Sequence, residues 1–132
     1  MERLFMTLAA LNGFLAVAFG AFGAHGLKDF LEGLGEDGAQ RLEWWQTAAH
    51  YHLTHALALT AVAFLANRMS PGLVRLSGWG FQLGILLFCG SLYAMTLSGI
   101  RVLGAVTPIG GVGLLLGWLG LLLAARKLGQ PA

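Results

Sequence analysis

Charge is what this sequence has least of: its 132 residues include 8 Lys and Arg and 6 Asp and Glu, 11% in all. A water-soluble domain carries roughly 25%, and a chain of this size has too much surface for so few charges to keep it in water. A soluble enzyme, a disordered chain and a nucleic-acid-binding domain are excluded together. The pI near 9.1 does not reopen the last of these, because net charge is only +2 and the basic residues are scattered. A single cysteine, Cys89, allows no intrachain disulfide and no paired-cysteine metal or redox motif. Within its apolar run it reads as a small buried hydrophobe. The chain also lacks an HExxH motif, an inverted repeat and any visible nucleophile–base–acid set, so no enzymatic activity is expected.

Apolar residues are what it has instead, 57% of the chain. Four runs stand out: residues 4–24, 44–66, 76–99 and 102–125. At 1.5 Å per residue each reaches about 30 Å, the hydrocarbon thickness of a bilayer. Backbone polar groups in lipid must be satisfied internally, which makes the runs helices. The expected fold is an all-α integral membrane four-helix bundle, one domain over residues 1–132 with the lipid bilayer as its solvent. Leu27, Phe30, Leu31 and Leu34 recur at helical spacing among Lys28, Asp29 and Glu32, which predicts a short interfacial amphipathic helix between spans one and two. Arg3 and the Ala16-Val17-Ala18 step imitate a secretion signal. The first run exceeds the roughly 7–15 residues of a signal core, so it is expected to remain as a span.

Basic residues predict the orientation. Arg3, Arg68, Arg75, Arg126 and Lys127 fall on one side of a four-span chain, and Lys28, Arg41 and Arg101 on the other. The excess places both termini in the cytoplasm of a multi-pass protein of the cell (inner) membrane. Trp44, Trp45 and Trp79 lie near span ends and are expected at the membrane interface.

Small residues line up where a 100° rotation per residue is applied. They form stripes of Ala9, Asn12, Gly13, Ala16, Gly20 and Gly23 in span one, Ser77, Gly80, Gly84, Ser91 and Ser98 in span three, and Gly110, Gly113, Gly117, Gly120 and Ala124 in span four. In lipid such stripes let backbones approach closely. They predict a tight bundle and leave a homo-oligomer through these faces open.

Polar residues inside the spans are the sharper functional clue. On span two His52 and His55 lie about 60° apart with Tyr51 beside them, while His50 points away with Gln46 and Thr54. Ser91 and Tyr93 of span three, Thr107-Pro108 of span four and His25 at the end of span one join them in a polar layer in the outer half. Pro108 is expected to free a carbonyl near Gly104 for that layer. Asn12 and Gln82 lie deeper and are expected to bridge helices by hydrogen bonds. Three uses of the histidines stand side by side: a structural or small-ligand-binding layer, a proton or small-solute path, and a metal or haem site built on His52 and His55 with His25. With no acidic residue in the spans, no metal and no cofactor is assigned.

Four segments carry a resemblance: Gly20-Ala21-Phe22-Gly23-Ala24-His25-Gly26-Leu27; Trp45-Gln46-Thr47-Ala48 followed by Tyr51 and His55-Ala56-Leu57-Ala58-Leu59; Gly90-Ser91-Leu92-Tyr93; and Thr107-Pro108-Ile109-Gly110-Gly111. In order and spacing the chain resembles the small four-helix membrane proteins grouped as domain of unknown function 423, also uncharacterised protein family 0382, with transmembrane protein 256 as an animal relative. The resemblance covers nearly the whole chain. It implies a small integral membrane protein, in bacteria of the cell membrane, with no assigned activity. His25, Tyr51, His55, Tyr93 and the Thr107–Gly111 turn match the family pattern. His50 and His52 depart from it, which moves a metal reading toward His25 and His55.

Overall fold

A computed structural model describes residues 1–126, and among these the regular structure is entirely helical. Helix α1 (Glu2–Ala24) ends at His25, where the backbone bends into the seven-residue α2 (Gly26–Glu32). Gly35, at φ +63°, makes the next turn, and α3 runs Glu36–Leu65. α4 (Pro71–Gly84) passes through a π-wound turn, Ile85–Cys89, into α5 (Gly90–Ser98), so the three form one composite rod. Gly99 ends the rod in the left-handed conformation, its N–H donating to the Met95 carbonyl at 2.8 Å. A 3-10 turn, Arg101–Ala105, leads into α6 (Thr107–Ala125).

Three helical stretches, Glu2–Ala24, Pro71–Ser98 and Arg101–Ala125, are long and apolar enough to cross a membrane. α3 is longer, at 30 residues, but its histidines and Gln46 hold its hydropathy below theirs. Lys127, counted above for orientation, lies outside the described residues.

Packing runs in sequence: α1 on α3, α3 on the composite rod, the rod on α6. Phe5, Leu59, Val62, Val74 and Phe81 are wholly buried between them. α2 folds back on the start of α3 with Leu27 and Leu31 buried, while Phe30 and Leu34 stay exposed.

The rod and α6 come closest. A Cβ at Gly80 would stand 2.8 Å from the Gly117 nitrogen and 2.9 Å from the Gly113 oxygen. The α6 stripe of Gly110, Gly113, Gly117, Gly120 and Ala124 therefore faces the rod as small residues require. The other two stripes need correction. On α1, Ala9, Asn12, Ala16 and Gly23 are buried, but Gly13 and Gly20 have nothing within 4 Å of a would-be Cβ. In the rod Ser77, Gly80 and Gly84 meet α6, whereas Ser98 is exposed and donates to its own Ala94 carbonyl at 2.6 Å. Ser91, beyond the π turn, still meets α6 at Thr107, but Ser98 lies two turns further on, past the level at which α6 begins. Ser77 sits fully buried under Gly120, its hydroxyl unpaired among the described residues.

Two further expectations change. Trp45 is buried, not interfacial: its indole N–H donates to the Phe19 carbonyl at 2.7 Å and its ring packs against Gly23. Pro108 frees no carbonyl, because α6 begins only at Thr107 and places the proline in its first turn, where the N–H has no partner to lose.

At the end of α5 the Arg41 guanidinium, mostly buried, donates to the Thr96 carbonyl at 2.7 Å and the Leu97 carbonyl at 3.1 Å. The Thr96 hydroxyl lies 2.9 Å from the Arg41 carbonyl in return. This clasp satisfies carbonyls that a helix C-terminus leaves bare. Asp37 bridges Arg41 and Arg101, and the Arg101 guanidinium lies over the Trp44 ring. Those ion pairs are exposed and add little. Arg41→Ala is expected to lower stability by about 2 kcal/mol through the lost charged hydrogen bonds, with Arg41→Lys recovering only part. Thermal unfolding in detergent measures both, and an unchanged midpoint in Arg41→Ala would remove the clasp.

Candidate functional site: a buried polar chain and a side groove

Helices α1 and α3 run antiparallel, and their facing residues set the first feature. Trp45 meets Phe19. Seven residues further along α3 and seven back along α1, two turns in each, His52 meets Asn12. The His52 Nε2 lies 3.1 Å from Asn12 Oδ1, and its Nδ1 lies 3.2 Å from the Tyr93 hydroxyl. Asn12 Nδ2 donates to Gln82 Oε1 at 2.8 Å and to the Leu8 carbonyl at 2.7 Å. A single chain, Gln82–Asn12–His52–Tyr93, thus ties α1, α3, α4 and α5 together in the interior, all four side chains being buried.

The Leu8 carbonyl orients it. An oxygen with only lone pairs needs a donor opposite, so the Asn12 amide nitrogen faces Leu8 and Gln82, and its oxygen faces His52. His52 must then carry its proton on Nε2 to donate to Asn12, and accept from the Tyr93 O–H at Nδ1. Asn12 and Gln82 bridge helices, as expected, and do so through each other. The expectation that this pair lies below the histidine layer is corrected: the two form one network.

His55 belongs elsewhere. It is buried, with Nδ1 2.7 Å from the Tyr51 carbonyl, and its Nε2 accepts from the Trp118 N–H at 3.2 Å. Ser91 and Thr107 form a third pair, 2.6 Å between hydroxyls, linking α5 to the start of α6. His25 stands apart at the α1–α2 bend and is exposed. The seven residues singled out in the sequence therefore fall into His52 with Tyr93, Tyr51 with His55, Ser91 with Thr107, and His25 alone. Both ring nitrogens of His52 and of His55 are occupied within the protein. Among the described residues no group of three or more His, Cys, Asp or Glu is placed to hold a metal ion.

The second feature is a groove of about 590 Å³ between α3 and α6. It exists because α6 packs on α4 and the π turn, leaving a gap beside α3. Phe88, from the π turn, and Leu114 line it from the core side, with Pro108 through Trp118 along α6 and His50, Tyr51, Thr54 and His55 along α3, so that His50 shares a wall with Tyr51 and His55 instead of pointing away from them. The Tyr51 ring lies 4.5 Å from the Phe88 ring and stacks 5.7 Å from His55. Half-exposed Trp118 closes one end, and Val112 and Leu115 are exposed along the open side.

The family described as protein of unknown function (DUF423) matches residues 19–111. The UPF0382 membrane protein YwdK of Bacillus subtilis is 44% identical over 126 residues, 95% of this chain and 98% of that protein. A UPF0382 membrane protein of Haemophilus influenzae is 42% identical over 127 residues, 96% and 97% of the two chains. The chain belongs to the DUF423 family. It is accordingly a membrane protein, as its apolar helices require. No solved structure matches it.

All seven residues singled out by sequence lie within the stretch matched by DUF423; Asn12 and Trp118 lie outside it. Trp118 was the residue sequence reading missed. Its signal was available: an indole N–H deep in an apolar run, far from a span end, needs an acceptor. Asn12 is expected from sequence only to bridge helices, although the Phe19–Trp45 register carries it to His52.

Proposed function

We propose that this DUF423 protein is a non-enzymatic four-span bundle of the cell membrane that holds a small lipid-phase ligand in the groove between α3 and α6. α3 is the remaining span, its imidazoles turned to Asn12, Tyr93 and Trp118 rather than to lipid. Loop pairings support the up-and-down path. Glu2 bonds Asn67 at 2.8 Å, which puts the N-terminus beside the α3–α4 loop, and Asp37 bonds Arg101 at 3.0 Å on the other side. The basic excess then places both termini in the cytoplasm. α2, with Phe30 and Leu34 exposed beside Lys28, lies in the opposite interface.

One observation carries the ligand reading: a groove within the roughly 300–1,000 Å³ of small-molecule sites, apolar along most of its wall with a few polar groups. Its apolar, lipid-facing mouth admits solutes from the bilayer, not from water. Gly111 lies on the groove, and its would-be Cβ is 3.8 Å from the Phe88 ring, an ordinary contact. Gly111→Phe should fill the groove without parting α6 from the rod. Native mass spectrometry of protein purified in mild detergent is expected to show a retained small molecule on the wild type and none on Gly111→Phe. An empty wild type, or equal retention by both, would overturn the reading.

A further inference from the structure

The groove's polar atoms narrow what it can hold. His55 and the Trp118 N–H satisfy each other, and the Thr54 hydroxyl donates to the His50 carbonyl at 2.8 Å. Among the described residues Tyr51 and His50 enter hydrogen bonds with side chains only through their carbonyls, which leaves the Tyr51 hydroxyl and the His50 ring nitrogens without a protein partner. These are therefore the free hydrogen-bonding groups of the lining, on adjacent residues with ring centroids 6.1 Å apart. Among the described residues no Lys, Arg, Asp or Glu lines the groove. A phosphate or carboxylate head would enter with no countercharge, at the cost of desolvating an ion beside lipid. An uncharged head that accepts hydrogen bonds meets no such penalty.

Shape narrows it further. Tyr51 and Phe88 lie on each other at 4.5 Å and Tyr51 also stacks on His55, so these rings form a continuous aromatic wall; Trp118 closes one end, and Pro108 flanks the other. A wall lined by these rings favours a flat ring, which gains edge contacts with them beyond its buried area. Between Pro108 and Trp118 the groove follows α6 for about 15 Å, and its exposed Val112 and Leu115 lead an apolar tail outward into lipid.

We propose that the ligand is a quinone-type lipid: a flat, neutral ring whose carbonyl accepts from Tyr51 and His50, carrying an apolar tail that leaves along α6. This rests on the groove reading above and concerns binding alone. Decylubiquinone is the probe, titrated into purified protein in micelles, with quenching of tryptophan fluorescence as the signal and Trp118 as the indole at the site. Saturable quenching is expected in the wild type. Tyr51→Phe, which removes a hydroxyl without a protein partner and leaves the ring, should weaken it about five- to tenfold, and dioleoylglycerol or phosphatidylglycerol should not displace the probe. Displacement by dioleoylglycerol as readily as by decylubiquinone would overturn the ring assignment and leave the groove reading standing, as would an unquenched wild type that still retains its native small molecule. Equal affinity in Tyr51→Phe and wild type overturns the head-group contact on which the proposal depends. If Gly111→Phe keeps both the quenching and the native adduct, the groove itself is not the site and both readings fall.

Discussion

Gly110→Ala is expected to destabilise the protein by about 3 kcal/mol, at the upper end of what overpacking costs, while Gly13→Ala is expected to be neutral or slightly stabilising. Both positions are helical glycines on faces that the sequence marks as small, so propensity favours alanine at each by up to about 1 kcal/mol. Their surroundings differ. At Gly110 a Cβ would meet the Phe88 Cα at 2.7 Å and the Leu87 carbonyl carbon at 2.8 Å. Those are backbone atoms of the π turn, which cannot swing aside as a side-chain tip would. α6 must retreat, and the retreat opens the neighbouring contacts at Gly113 and Gly117. Lipid gives helices no hydrophobic reason to associate, so lost van der Waals contact is not recovered elsewhere. At Gly13 nothing stands within 4 Å. Unfolding by SDS titration, followed by circular dichroism, separates the two variants. Equal midpoints would show that close backbone approach is not what seats α6.

The contrast between these glycines marks how far sequence reading reached. Four apolar runs long enough to cross hydrocarbon led to helices in lipid, because a helix satisfies every backbone polar group within its own run. The α6 stripe was readable for the same reason: α6 is regular from Thr107 to Ala125, so a constant rotation sorts its residues correctly. The rod is not regular. A π turn has no composition of its own in Ile85-Leu86-Leu87-Phe88-Cys89, and the Ser98 end of the rod runs past the level of Thr107, where α6 has not yet begun. Depth failed at α3 for a related reason. That helix starts at Glu36, eight residues before the apolar run that was counted from Trp44. His52 therefore lies deeper than its place in the run implied, level with Asn12 of the antiparallel α1.

Trp45 shows a different limit. A tryptophan near a span end suits the interface or the interior equally by chemistry, and only a partner decides between them. The Phe19 carbonyl and the space left by Gly23 are that partner. Likewise the groove could not be read from the chain, since it is the gap left where α6 chooses the rod over α3. The metal reading, moved toward His25 and His55 by the departures at His50 and His52, met the same obstacle: matching residues carry no information about which face of a bend they occupy, and the structure exposes His25 while burying His55.

His52→Ala should lower stability by about 3 kcal/mol, more than the loss of one ordinary interhelical hydrogen bond, which averages about 0.6 and reaches about 2 kcal/mol in membranes. The excess comes from what remains behind. Without the imidazole the Asn12 oxygen and the Tyr93 hydroxyl are left in the interior, each an unpaired polar group worth about 1–3 kcal/mol, beside the space the ring filled. Asn12 cannot turn its amide to compensate, because the Leu8 carbonyl at 2.7 Å holds the nitrogen on its own side. Tyr93→Phe should cost only about 1 kcal/mol, since it removes the donor and leaves a single nitrogen unpaired. Combining the two changes should then cost less than their sum, because Tyr93→Phe has already removed a group that His52→Ala would strand. Unfolding free energies of wild type, both single variants and the double variant give the coupling directly, expected near 1 kcal/mol. Strict additivity would mean that His52 and Tyr93 do not meet in the membrane-embedded protein. Asn12 would still tie α1 to Gln82 of the rod and to His52, and the polar hold of α3 on α5 would fall to Arg41 and the Thr96 and Leu97 carbonyls.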